Sequence, residues 1–378
     1  MQPSLAFTSN SGGLSADTAL RARAASHGRS PLPALTGLRF FAAFYVVLGH
    51  SLTWLSSRFP LPAFVKTFLG NGYLAVCLFF LLSGFILSYT YAGEAFHGLA
   101  RRKFWAARFA RIYPVYLLSL LLVLPFEIQG LTWTRAASVL LMVQAWNPLH
   151  PELTGVWNYP AWSLSVEAFF YLCFPFIQSR LWGSSWRVLL LVAAFASLVC
   201  VVFHTPIQGL GLWDPVVTGK WLPLPLLRIP EFILGMVLGN VFVRYGSISR
   251  KATLTLLAVI SSILILALPI GPWVSLAVLP FGLLIYSLAS SENPVTSFLS
   301  HPVMILLGGA SYSIYLLQVP ARDWVRTISE HFTPLGRVNV PLTPLVLILF
   351  SVLVFRNWEE PMRKATRRWL VRKAEISV

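Results

Sequence analysis

The chain has 378 residues, 56% of them hydrophobic and only 11% charged, with a formal net charge of +16. Soluble domains carry roughly a quarter charged residues, so this composition excludes an ordinary soluble fold and points to a bilayer. The basic residues sit beside hydrophobic runs, which fits positive-inside topology and contact with anionic membrane lipids and argues against a nucleic-acid partner.

Residues 1–34 are rich in Ser, Ala and Gly and carry Arg21, Arg23 and Arg29 against the single acid Asp17. They lack the apolar core and cleavage site of a secretory leader, and a disordered basic cytoplasmic tail is expected. Apolar runs then recur at 35–55, 71–91, 109–128, 162–180, 186–204, 222–244, 252–269, 273–290, 303–322 and 342–360. At about 20 residues per span, they predict an all-α integral membrane protein of about ten transmembrane helices. The stretch 134–147 is shorter, lies between Trp133 and Trp146, and is expected to be interfacial or re-entrant. The domain reading is a tail over 1–34, a transmembrane domain over 35–360 and a basic cytoplasmic tail over 361–378.

Charge supports that count. With both termini inside, the cytoplasmic loops hold Arg101, Arg102, Lys103, Arg108 and Arg111, then Arg180 and Arg187, then Arg244, Arg250 and Lys251. The C-terminal tail adds Arg363, Lys364, Arg367, Arg368, Arg372 and Lys373, while the outer loops hold Arg58, Lys66, Arg135, Lys220 and a mixed 320–340 segment. A spanning 134–147 would put the basic tail outside, against the positive-inside rule. Cys77, Cys173 and Cys200 lie in apolar runs without Cys-x-x-Cys spacing, so neither a disulfide framework nor a metal site is suggested. No internal repeat of the transporter kind is visible. Pro114, Pro175, Pro230 and Pro320 fall in or near helical patterns, each freeing a carbonyl that protein or cavity water must satisfy, so kinked helices around an internal cavity are expected.

The first run, Leu35 to His50, places Arg39 and His50 eleven residues apart, about 16 Å along a helix axis. They cannot pair, and ionisable groups inside a membrane helix are functional candidates. The bland alternative is a snorkelling arginine and a histidine bonded to a neighbouring helix. Counting depth from the membrane edges puts His50, Glu167 of the fourth span and Gln318 of the ninth in one outer layer, with Ser163 one turn from Glu167. Such a layer suits acid–base work, with the carboxylate fixing the histidine tautomer. Glu231 is expected to pair locally with Arg228 at i and i+3. Arg108 and Arg111, also at i and i+3, join Arg39 as a candidate phosphate clamp on the inner side. Arg101, Arg102 and Lys103 fit lipid phosphate better.

The ordered motifs are specific. Arg39-x10-His50, Arg108-x-x-Arg111-Ile112-Tyr113-Pro114 and Trp162-Ser163-Leu164-Ser165-Val166-Glu167 resemble the membrane-bound acyltransferase family 3. So do Phe79-Phe80-Leu81-Leu82-Ser83-Gly84-Phe85, Ser311-Tyr312-Ser313-Ile314-Tyr315-Leu316 and Glu359-Glu360-Pro361-Met362-Arg363. The resemblance implies an O-acyltransferase of the cell (inner) membrane, usually acetyl, with cytoplasmic acetyl-CoA or another acyl-CoA as co-substrate. Its acceptors are hydroxyls of glycans, lipid-linked sugars or macrolide-like metabolites. No esterase-like domain follows the last span, so the activity is expected to reside in the membrane domain. On this reading His50, oriented by Glu167, is the base, Arg39, Arg108 and Arg111 bind the donor, and Ser163, Tyr315 or Gln318 serve the oxyanion or substrate. An acyl-histidine route stays open beside direct transfer. One departure stands out: many relatives place a histidine where this chain has Gln318, and glutamine cannot carry a proton near neutral pH. Two other classes remain at this point, a sugar-lipid exporter using the polar layer as a path and a scaffolding subunit without chemistry. Oligomeric state is not legible.

Overall fold

A computed structural model describes residues 29–209, 222–246, 252–290, 292–332 and 343–376. Most of the expected N-terminal tail lies outside the described residues, as do Lys220, Arg250, Lys251 and part of the 320–340 segment. Among the described residues every regular element is helical, in agreement with the all-α expectation.

The helices in chain order are α1 (Pro33–His50), α2 (Leu52–Arg58), α3 (Ala63–Gly70), α4 (Ala75–Thr90), α5 (Gly98–Glu127), α6 (Trp133–Leu140), α7 (Trp162–Gly183) and α8 (Trp186–Gly209). They continue with α9 (Leu224–Tyr245), α10 (Ala252–Ala267), α11 (Val278–Ser290), α12 (Pro294–Leu299), α13 (Pro302–Gly309), α14 (Ser311–Phe332), α15 (Thr343–Val354) and α16 (Glu360–Ile376). Proline at the first position of α1 suits a helix start, because the N–H it lacks has no partner there.

Five described helices are long and apolar enough to cross a membrane, and six if α13 and α14, bent by 55°, count as one span. The expectation of about ten spans is therefore met only in part. The remaining predicted runs are helical but short, broken or polar. The first is 18 residues and carries Arg39 and His50. The last is interrupted after 12 residues by a π-turn over Phe355–Glu359. The stretch 134–147 forms only the eight-residue α6 followed by turns, too short to span.

Two of the expected proline kinks have visible partners. Pro320 frees the Leu316 carbonyl, which accepts from Asn158 Nδ2 at 3.1 Å. Pro175 frees the Tyr171 carbonyl, which accepts from Trp105 Nε1 at 3.1 Å. Both donors come from other elements, so each kink is a tertiary joint. The segment before α7 is packed inward: Trp157 adopts φ 72°, an uncommon conformation for a bulky residue, and donates its indole N–H to the Leu120 carbonyl.

A close helix crossing joins α4 and α9. A Cβ on Gly84 would lie 2.1 Å from the Phe232 carbonyl oxygen, and one on Gly235 2.0 Å from that of Leu81. Small residues permit such backbone approach in membrane bundles, where helices gain contact from packing rather than from escaping water. Gly235→Val is expected to lower stability by about 1–3 kcal/mol through overpacking. Thermal unfolding in detergent measures this, and an unchanged transition would contradict the crossing.

Candidate active site

Five helices meet around a cavity of about 140 Å³. Arg39 enters from α1, Ser83 from α4, Arg108 and Arg111 from α5, Ser163, Glu167 and Tyr171 from α7, and Tyr312 and Tyr315 from α14. The i, i+3 spacing of Arg108 and Arg111 and the i, i+4 spacing of Ser163 and Glu167 turn both members of each pair to the same side. Six of the eight sequence-predicted site residues thus share one cavity.

The arginines are held differently. Arg111 pairs with Glu359 at 3.1 Å, and the Ser313 hydroxyl donates to the other Glu359 oxygen at 2.7 Å. Arg108 lies over the rings of Tyr91, Phe104 and Tyr171, each 5.8–5.9 Å from its guanidinium carbon. Among the described residues neither Arg39 nor Arg108 has a carboxylate within ion-pair distance. Two half-buried arginines without an ion-paired carboxylate make this wall receptive to an anion.

Glu167 accepts from Ser83 Oγ at 3.0 Å and from the Tyr171 hydroxyl, so its carboxylate belongs to the cavity. The Ser163 and Tyr315 hydroxyls lie 2.9 Å apart at the same cavity, each within hydrogen-bond distance of the Pro160 carbonyl, so with one proton apiece one donates to that carbonyl while the other donates to its neighbouring hydroxyl.

His50 stands apart from that cavity. Its Nδ1 lies 2.7 Å from Gln318 Oε1, while Gln318 Nε2 donates to the Tyr315 carbonyl at 2.7 Å. The carbonyl accepts only, so it fixes which end of the amide is nitrogen, and the amide oxygen must face the histidine. An amide oxygen requires a donor, so His50 carries its proton on Nδ1 and keeps Nε2 as the basic nitrogen. The ring lies at the exposed end of α1, with Tyr159 edge-on at 6.2 Å between centroids.

The expected layer of His50, Glu167 and Gln318 is therefore divided: His50 and Gln318 touch, and Glu167 lies further in with the arginines. The depth count takes Trp162 as the membrane edge. Trp157, Asn158, Pro160, Ala161 and Trp162 are all buried, so α7 begins below a covering segment. The side chain at hydrogen-bond distance from the His50 ring is that of Gln318, where Glu167 was expected. Arg228 and Glu231 pair with each other at 3.2 Å, as the i, i+3 spacing predicts.

Glu359, Asn158, Ser83, Tyr171 and Ser313 were not among the predicted site residues. Glu359, Ser83 and Ser313 belong to motifs that already stand out in the sequence, and Tyr171 is one turn from Glu167. Asn158, wholly buried, joins Ser119 Oγ at 3.0 Å to the α14 kink and carries no comparable signal.

Over residues 32–355 the chain matches a family model described as "Acyltransferase domain". It is 33% identical over 320 residues to "Acyltransferase MdmB" of Streptomyces mycarofaciens, covering 76% of this chain and 78% of that protein. It is 22% identical over 374 residues to "O-acetyltransferase OatA" of Staphylococcus aureus, covering 88% of this chain and 57% of that protein. A 95-residue stretch is 38% identical to "Protein 2 in picA locus" of Rhizobium radiobacter, covering 25% of this chain and 44% of that protein. No solved structure matches the chain.

Proposed function

Since the chain belongs to this acyltransferase family, we propose that it moves an acyl group, acetyl in the first instance, from acyl-CoA to a hydroxyl of a glycan, lipid-linked sugar or macrolide-like metabolite. The donor arrives from the cytoplasmic side of the cell membrane, where both termini lie, and its anionic part meets Arg39, Arg108 and Arg111. The thioester arm extends along the cavity past Glu167 toward Tyr315. His50 Nε2 takes the proton of the acceptor hydroxyl as the oxygen attacks the thioester carbonyl. The hydroxyls of Tyr315 and Ser163 donate to the developing oxyanion. The intermediate then expels the CoA thiolate, which recovers the proton from the His50 imidazolium, so ester and free thiol leave and the histidine returns neutral. No metal takes part in this sequence.

The observation that carries the reading is the His50–Gln318 pair. It leaves a basic nitrogen at the exposed end of the helix whose other end places Arg39 in a cationic cavity, about 16 Å away along the axis. A glutamine suffices for this because it need only orient the ring.

Purified protein given labelled acetyl-CoA and candidate acceptors tests the proposal, and transfer of label to an acceptor hydroxyl is the expected result. Gln318→Ala frees the imidazole to rotate and is expected to lower kcat by about tenfold or more, with the donor KM unchanged. A rise in donor KM at constant kcat would instead place Gln318 in the donor site.

A further inference from the structure

The inner cavity is small, about 140 Å³. A much larger groove of about 960 Å³ lies between the beginning of α5 and α16. Lys103 of α5 and Lys364, Arg367, Arg368 and Arg372 of α16 line it, and Glu94 and Glu375 are its acids. Five cations against two acids leave a net charge of +3. Lys103 bridges to Glu375 at 2.7 Å and Lys364 to Glu360 at 3.2 Å. Among the described residues Arg367, Arg368 and Arg372 have no ion-pair partner, and all three are exposed.

Two rings stand between the groove and the cavity. Tyr91 and Phe104 line the groove, and the Arg108 guanidinium that lines the cavity lies over both rings. Interfacial arginines facing lipid would point outward along one helix. Here cations from two helices line a shared depression, and a cavity arginine lies behind two of its rings.

Resting on the acyl-CoA reading above, we propose that this groove binds the phosphorylated nucleotide end of the donor, with Arg367, Arg368 and Arg372 recognising its ribose phosphate and Arg108 at the threshold of the cavity. The basic C-terminal segment is then part of the donor site. Anionic lipid headgroups share the phosphate chemistry, and the test separates the two sources.

Full-length protein in neutral phosphatidylcholine nanodiscs is titrated calorimetrically with CoA and with dephospho-CoA, which lacks the ribose 3′-phosphate. The wild type is expected to bind CoA about tenfold or more tightly than dephospho-CoA, as a charge-assisted contact gives. The double variant Arg367→Gln/Arg372→Gln, whose exposed side chains carry no ion pair, is expected to lose that preference and keep its affinity for dephospho-CoA. A variant that keeps the wild-type preference overturns the groove assignment while leaving the acyl-CoA donor standing. Should the wild type bind neither compound, the donor reading falls and the groove assignment with it. If the variant keeps the preference but retains less phosphatidylglycerol from mixed nanodiscs, the groove is a lipid headgroup site and the inference is wrong.

Discussion

His50→Ala is expected to lower kcat for acyl transfer by about 10²–10⁴-fold, the span typical of a lost general base. The side chain is exposed at the end of α1 and its hydrogen bond runs to Gln318, so removing the ring opens no core cavity. Stability and CoA binding should therefore stay at wild-type levels, which separates a chemical defect from a folding one. Initial rates at saturating acetyl-CoA, with thermal unfolding of the same preparation, make the check. A His50→Ala protein with wild-type kcat would remove the base from the mechanism.

The second large effect is structural. Glu359 is 1% exposed and its charge faces Arg111. Arg111→Ala strands that carboxylate with only the Ser313 hydroxyl, and breaking a buried pair in this way costs about 3–5 kcal/mol. Removing both charges together, as Arg111→Met with Glu359→Leu, should recover most of the stability, because neither group is then left unpaired. The double variant should still bind CoA weakly, since one wall of the cavity has lost its cation. Unfolding in detergent compares the three proteins. An Arg111→Ala protein that unfolds at the wild-type temperature would show that the pair does not hold the helices together.

Which parts of this site were legible in the sequence follows from the range of each interaction. Arg39 and His50 were legible because charge in an apolar run is conspicuous, and Arg108 with Arg111, or Ser163 with Glu167, because helical spacing alone turns them to one side. The Arg228–Glu231 pair is local in the same sense. The partners of Glu167 and His50 were not, since they depend on where α7 starts in depth. That depth is set by the inward-packed Trp157 and Asn158, whose contacts reach Leu120, Ser119 and Leu316. Glu359 was hidden for a related reason: the motif was visible, but it lies at the end of the π-turn that interrupts the last helix. Span counting fell short where α1 carries its polar residues, where α13 bends into α14 and where α15 gives way to that turn.

The two ends of α1 carry different tasks in this scheme, donor binding at Arg39 and proton removal at His50. Both can be read from one pair of variants by measuring CoA affinity and label transfer from acetyl-CoA on the same protein samples. Arg39→Ala should bind CoA more weakly than the wild type, while His50→Ala should bind it equally well and transfer label about 10²–10⁴-fold more slowly. Wild-type CoA affinity in Arg39→Ala, or transfer at the wild-type rate by His50→Ala, would contradict the division of labour along the helix.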